Sequence, residues 1–458
     1  MRLKQFIGKN IRGYMNFDIS FRDSVTFLIG INGSGKTTVL KLLAGLLTPS
    51  YLDLSQIEFS EISVSFTSKD SDSVESIYCY NYGQKIKLKY IDSKRKVFEK
   101  EFPLISVISM RSRYEQNFID IDKLDRINSD FDDLDVVQKI RELKTPLFLG
   151  LNRRIIENSN LNSVERRFLS SRRRLQQIES MSDSVDNALS DIQEIFYTHI
   201  RRTAQSQFQL SDLFRKQVFE ESFKLKKNIT ISNIDYKEEL ENLKSRQNYL
   251  NSIIQSLEVK DLLKQFSEYF IEIQKVLQIL SDTSALQEDK TPNPAYYNAL
   301  LEWMINRSQL DKIDKIIKYA DDYINNIQNL KAPINRFVDS INLFFKEGHK
   351  EIEVDDRGEI KIKINNTTKN NSIFDLSSGE KQLVILLAHI AFYKRNKDAS
   401  VFVIDEPELS LHISWQEIFV DALLKASPNT QFILATHAPA ILAKNERREW
   451  CVDLSKRN

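Results

Sequence analysis

The chain is poor in cysteine, in glycine and in net charge, and each shortage excludes something. Only Cys79 and Cys451 occur in 458 residues, which rules out a disulfide framework and any multi-cysteine zinc site. Glycine numbers 11, and between about residues 136 and 345 it occurs once, at Gly150. Excess charge is missing as well: 65 Lys and Arg face 64 Asp and Glu, a net +1. That balance gives no global argument for nucleic acid, so a basic surface has to come from local clustering. Long apolar runs are absent too. The longest, Leu383 to Phe392, is interrupted by His389 and is too short to span a bilayer. Arg2, Lys4, Lys9 and Arg12 begin the chain without the apolar core of a signal peptide. The expectation is a cytoplasmic protein with no membrane partner. What is present, 41% hydrophobic and 28% charged residues, suits ordinary folded domains, about three by length.

Three stretches differ in pattern. Up to about residue 135, apolar and polar residues alternate as in strands: Met15 to Phe21, Ile57 to Phe66 and Ile77 to Lys89. Val25 to Ile29 and Leu104 to Ser109 are short apolar runs, and a helix is expected over Thr37 to Leu47. From 136 to 345 helical periodicity takes over. Leu240, Leu243, Gln247, Leu250, Ile254 and Leu257 keep alternating three- and four-residue steps, as do Leu310, Ile313, Ile317, Ala320, Ile324 and Ile327. These are short coiled-coil seams, with a turn expected over Ser281 to Pro294. Residues 236 to 280 are expected to form two packed helices rather than one arm of about 70 Å. From 346 onward the α/β pattern returns, opening with a hairpin of Ile352 to Val354 and Ile360 to Ile364 around Asp355-Asp356-Arg357-Gly358.

Chemistry concentrates in the two outer stretches. Gly30-Ile31-Asn32-Gly33-Ser34-Gly35-Lys36-Thr37 fits the phosphate-binding pattern G-x-x-x-x-G-K-[ST], with an apolar strand before it and an amphipathic helix after it. The glycines let backbone N–H groups and a helix N-terminus face phosphates. Asn32, Gly33, Ser34, Gly35, Lys36, Thr37 and Thr38 are therefore the candidate ATP-binding residues. Lys36 is expected at the β/γ-phosphates and the Thr37 hydroxyl on Mg2+. The strand Val401 to Ile404 delivers Asp405-Glu406, two adjacent carboxylates that are costly on a buried strand unless their charge is used. Asp405 is suited to hold Mg2+ and Glu406 to polarise the attacking water, although a lone pair of this kind also serves as a strand-end salt bridge. Leu376-Ser377-Ser378-Gly379-Glu380 contains the capping box Ser377…Glu380 at the start of a helix, itself an anion site.

These motifs, with His437 after the strand Gln431 to Thr436, appear in the order of the ABC ATPase superfamily, which the chain resembles in its two terminal lobes. The fold this implies is an α/β ABC-type P-loop domain split by a helical, short coiled-coil insertion. Its lobes are 1–135 and 346–458, and the insertion is 136–345. The wide gap from Lys36 to Ser377 resembles the SMC-like and OLD-like branch. The run Asp405-Glu406-Pro407-Glu408-Leu409-Ser410-Leu411-His412 with Trp415-Gln416 resembles the OLD-type subgroup.

The resemblance implies two subunits sandwiching two ATPs, with Ser377 and Gly379 touching the γ-phosphate held by the other subunit's P-loop. It also implies a catalytic His437 contacting that phosphate in cis. Gln116 is the candidate Q-loop residue, and an ordinary exposed loop glutamine is the equal alternative. OLD proteins continue into a TOPRIM nuclease, whereas few residues follow His437, and the middle stretch offers no nuclease motif. The overall pattern is most similar to ATPase subunits of two-component antiphage systems, PARIS (AriA) first and Septu (PtuA) second. It implies an ATP-dependent scaffold controlling a separate nuclease or toxin, with a phage component as trigger. The alternatives are an SMC-like DNA-repair or DNA-tethering ATPase and, third, a transporter motor. DNA stays a candidate partner through Arg153-Arg154, Arg166-Arg167, Arg172-Arg173-Arg174 and Arg201-Arg202. An acidic protein ligand or a solvated helix face explains those arginines equally well.

Overall fold

A computed structural model describes residues 1–68, 71–104, 121–143, 146–149, 155–156, 181–224, 235–256, 261, 263–282, 294–364, 371–392, 401–409 and 411–455. Gln116, Leu257, residues 283–293 of the turn expected over Ser281 to Pro294 and the arginines between 153 and 174 lie outside these residues. So does the strand expected from Leu104, beyond that first residue.

The chain divides into two compact units, Met1–Phe196 with Ile334–Asn458, and Tyr197–Pro333. In the first unit β1 (Arg2–Ile11), β2 (Met15–Ser20), β4 (Glu61–Ser68), β5 (Ser71–Asn81), β6 (Lys85–Ile91) and β7 (Val97–Pro103) form an antiparallel sheet ordered β2-β1-β4-β5-β6-β7. The stretch read as one alternating run over Ile77 to Lys89 is two strands of that sheet, turned at Gly83 (φ 85°).

A second sheet carries the motifs. It is built from β3 (Val25–Ile29), β8 (Leu147–Leu149), β9 (Ile155–Ile156), β13 (Val401–Asp405), β14 (Gln431–Ala435) and β15 (Cys451–Asp453), ordered β15-β3-β14-β13-β8-β9. All neighbours run parallel except β8 and β9. Its central strands β3, β13 and β14 are mostly apolar because both faces are covered. Leu28, Val401, Val403, Ile433 and Ala435 enter one core, shared with the helix Lys36–Leu47 and the antiparallel sheet. Phe27, Phe402, Ile404, Phe432 and Leu434 enter the other. There they meet the helices Ser378–Phe392 and Ile413–Ala426 and the ends of the helices Met181–Ser222 and Pro294–Phe345. Val401 to Ile404 therefore sends alternate side chains to opposite cores, so no position on the strand tolerates a charge until Asp405 at its end.

The hairpin of β10 (Lys350–Val354) and β11 (Ile360–Ile364) forms where its sequence predicts, with β12 (Asn371–Ser372) added at the edge. Asp355 closes the turn by accepting from the Arg357 and Glu359 N–H groups, and Gly358 takes φ 90°.

The insertion begins later than the sequence pattern suggests. Leu147–Leu149 pairs in parallel with β13, so this part of the 136–345 stretch belongs to the ATPase core. Three apolar residues are too short a run to stand out from helical periodicity. The helical unit itself is held by Leu243, Leu250, Ile254, Phe270, Leu277, Trp303, Leu310, Ile317 and Ala320. Its helices Tyr236–Ser256 and Leu263–Ser281 are separate and pack on one another, as expected. Both seams read from the sequence supply buried residues to this core, with Leu240, Ile313 and Ile324 at its margin. Arg246 ties Glu239 (2.8 Å) to Asp314 (3.0 Å), joining two of the helices by charge-assisted bonds. Among the described residues no helix is long and apolar enough to cross a membrane.

Candidate functional site

Parallel pairing places the motifs on one edge. Asp405 is level with Ala435, and Ala435 with Leu28, so β13 and β14 end in one row, a single residue short of the end of β3. Everything after that row leaves from the carboxyl edge of the sheet, where ligands of open α/β sheets bind. The P-loop follows β3, the Asp405-Glu406 pair ends β13, and Thr436-His437 follows β14.

The loop after β3 can be built only with glycine at two points. Gly30 has φ 147°, and a Cβ there would lie 2.6 Å from Ser34 Oγ. Gly35 has φ 96°, and its Cβ would lie 2.7 Å from Phe17 Cζ on β2. Gly35 is also the N-cap of the helix Lys36–Leu47, which has no capping side chain and no acidic residue in its first turn. Its leading N–H groups are thus left for an anion, with the helix dipole in the same sense. Lys36 is 5% exposed and folds back over the loop, its Nζ donating to Gly30 O at 2.8 Å. Burial holds the Lys36 ammonium below the usual lysine range, against the attraction of Asp405, Glu406 and Glu408. Asn32 and Gly33 are exposed, Ser34 and Thr37 half-buried, and Thr38 buried in the first turn of the helix.

Asp405 is the other pole. It is 8% exposed, has the Thr37 side chain as a stabilising polar neighbour, and has one carboxylate oxygen, Oδ1, buried without a partner. Burial pushes its carboxyl above the usual range, and neighbouring Glu406 and Glu408 push the same way. The Thr37 hydroxyl and Lys36 oppose them. A desolvated carboxylate crowded by two others and holding unused lone pairs suits a bound cation. A hydroxyl beside a carboxylate is the hard oxygen set that Mg2+ takes alongside nucleotide phosphates. Glu406 follows at φ 48°, its N–H bonded to Ala435 O at 2.8 Å. That left-handed turn, costly for a non-glycine residue, carries the chain off the sheet immediately after Asp405.

His437 is brought to this site, its Nδ1 lying 3.5 Å from Lys36 Nζ. Ser377 and Gly379 make no hydrogen bond to these residues among those described. Ser377 closes the expected capping box with Glu380, its N–H bonded to Glu380 Oε2 at 2.8 Å and its hydroxyl accepting from the Glu380 N–H at 3.4 Å. Lys350 holds the other Glu380 oxygen at 2.8 Å. Ser377 is exposed, and its hydrogen bonds all stay within its own turn. One start of a helix is thus open and the other closed.

Two residues of this site escaped the sequence reading. Glu408 accepts from Thr436 Oγ1 at 2.9 Å and from the His437 N–H at 2.6 Å. The only hint was a third carboxylate in Asp405-Glu406-Pro407-Glu408. Ser455, after β15, accepts from the Ile31 N–H at 3.1 Å. No local signal marks a serine that acts across the whole length of the chain.

Fold and site together define a P-loop ATPase domain interrupted by a helical insertion. The chain belongs to the AAA ATPase domain family, which it matches over residues 1–442. It is similar to the Retron Vc95 probable ATPase of Vibrio cholerae serotype O1 biovar El Tor, 24% identical over 205 residues, 40% of this chain and 37% of that protein. It is also similar to the Retron Ec83 probable ATPase of Escherichia coli, 26% identical over 207 residues, 41% and 38% of the two chains. The chain therefore aligns with under two-fifths of the length of these curated relatives. Solved structures similar to it include the Smc head domain with an extended coiled coil, bound to the C-terminal domain of ScpA, from Pyrococcus furiosus. That likeness has a TM-score of 0.35 at 14% identity and covers 96% of this chain and 91% of the other. The SMC head domain from Thermotoga maritima is similar with a TM-score of 0.31 at 12% identity, covering 97% and 92%.

Proposed function

We propose that this ATPase hydrolyses Mg·ATP in a sandwich of two copies and uses the cycle to control a separate nuclease or toxin in bacterial antiphage defence. The observation that carries the chemical part is the buried, partnerless Asp405 Oδ1 beside Thr37 and Lys36. Lys36 and the open helix start take the phosphates, Thr37 and Asp405 hold Mg2+, and Glu406 orients the attacking water. His437 lies on the lysine side, suited to the γ-phosphate. The exposed Ser377 turn, whose bonds close on itself, supports reading Leu376-Ser377-Ser378-Gly379-Glu380 as the ABC signature segment, which acts on a second copy's nucleotide. Gln116 is retained as the Q-loop candidate.

The defence role rests on the partial likeness to retron ATPases and on the OLD-type run after Asp405. A scaffold of the PARIS kind, or next of the Septu kind, is the specific form proposed. Affinity purification of the Glu406→Gln chain from a strain carrying its native operon tests it. A co-purifying nuclease or toxin, retained with ATP, is the expected result. A lone dimer bound to DNA, with turnover stimulated by DNA and steeply weakened by salt, would point to an SMC-like repair ATPase instead.

A further inference from the structure

The inference rests on the ATPase reading above and concerns a residue which that reading leaves without a role. Glu408 lies on the segment that leaves β13, yet both of its carboxylate oxygens are spent on the segment that leaves β14. Oε2 accepts from Thr436 Oγ1 at 2.9 Å, and Oε1 accepts from the His437 backbone N–H at 2.6 Å. The Thr436 hydroxyl oxygen in turn accepts from the Ala438 N–H at 3.0 Å. One carboxylate therefore fixes three successive residues, 436 to 438, with His437 in the middle.

The backbone explains how Glu408 gets there. The Glu406 N–H bonds to Ala435 O and the Thr436 N–H to Leu28 O, so the three strands stay paired to the last residue before the loops. Glu406 then turns left-handed, the Leu409 N–H bonds back to Glu406 O at 3.2 Å, and Leu411 to Glu408 O at 3.0 Å. This tight turn swings Glu408 sideways over the end of β14. Without it the carboxylate would continue along β13, away from His437.

The consequence falls on the reacting side of the site. His437 is exposed, and its ring Nδ1 lies 3.5 Å from Lys36 Nζ. An exposed imidazole on a free loop samples many directions, whereas one whose backbone is clamped is held near the phosphate position. Orientation of this sort governs rate more than affinity. Glu408 also carries a charge that acts on Lys36 and on Asp405. We propose that Glu408 is a positioning residue for ATP hydrolysis. It holds the His437 loop against the P-loop, so that the strand bearing the metal-site carboxylate and the strand bearing the histidine act as one unit.

The test is a double-mutant cycle on the full chain, with steady-state ATP turnover as readout. Glu408→Ala is expected to lower kcat by roughly 10- to 100-fold, the scale of a misplaced catalytic group, with the KM for ATP little changed. Glu408→Gln keeps one oxygen acceptor and a polar group for Thr436, which can itself accept, so it should recover most of the rate. In a His437→Ala background, which keeps the backbone N–H but lacks the imidazole, Glu408→Ala should cost little more. An equal loss from Glu408→Ala with and without the His437 imidazole overturns the inference, as does a rise in KM at unchanged kcat. If Glu408→Ala fails to fold, the Gln variant decides: a rate as low as that of His437→Ala means that charge and not positioning matters, which also overturns it. A parent chain without ATP turnover overturns the ATPase reading first and this inference with it. Parental activity with an indifferent Glu408→Ala overturns this inference alone.

Discussion

The two units of this protein use their sequence in opposite ways. In the motif-bearing unit, single residues at strand ends and in the loop after β3 are individually constrained: Gly30 and Gly35 by backbone shape, Lys36 and Asp405 as buried charges. In the helical unit Tyr197–Pro333 no described residue has comparable individuality. Leu243, Leu250, Leu277 and Ala320 are there to fill a seam, and similar apolar volumes would serve. The difference teaches where a mutation should change chemistry and where it should change only stability.

The largest effect that would sharpen this contrast is Lys36→Ala. Turnover should fall to background while circular dichroism and the unfolding midpoint stay near those of the parent. Retained hydrolysis would remove the P-loop from the mechanism. Glu406→Gln comes next. Loss of the group that orients water should slow hydrolysis by about 10²- to 10⁴-fold. ATP binding, followed with a fluorescent analogue, should persist, and a parental rate would hand the role to another residue. On the other side, Leu277→Ala opens a cavity at a fully buried position and should cost about 2–5 kcal/mol in urea unfolding of the helical unit. Basal turnover should survive it, and a matching loss of turnover would break the contrast.

The smallest effect is a pH dependence. His389 lies on the helix Ser378–Phe392, where burial pushes its imidazole down from 6.5 to about 4. The folded state thus binds its proton less readily than the unfolded chain. Stability from keeping His389 neutral is complete above about pH 6.5 and is lost as pH falls towards 4, roughly 3 kcal/mol at the limit. His389→Leu should flatten the acid side of a stability–pH curve over that window. An unchanged slope would mean that the acid loss comes from other groups.

Much of this was legible in the sequence because phosphate binding demands a fixed spacing of glycines. Val401 to Glu406 stood out only beside the P-loop, since an apolar run ending in two acids also serves as a strand-end salt bridge. The capping box at Ser377 and the hairpin at Asp355 were local patterns and formed as read. What could not be read was the pairing of distant short segments. Leu147–Leu149 joins the core sheet on three residues, and Ser455 reaches Ile31 from the far end of the chain. Glu408 was visible as a residue, but its role depends on the left-handed turn at Glu406, which no propensity predicts for glutamate.

The central claim is that the open helix start at Lys36 and the closed one at Ser377 belong to opposite copies of one ATP site. Mixed dimers of Lys36→Ala and Ser377→Arg chains, co-expressed with different tags and purified through both, test it most directly. Each variant alone should be inactive. The mixed dimer should regain turnover, because it pairs one intact P-loop with one intact signature turn. A mixed dimer as inactive as either parent would contradict the account, since it would mean that both motifs must be intact on the same chain.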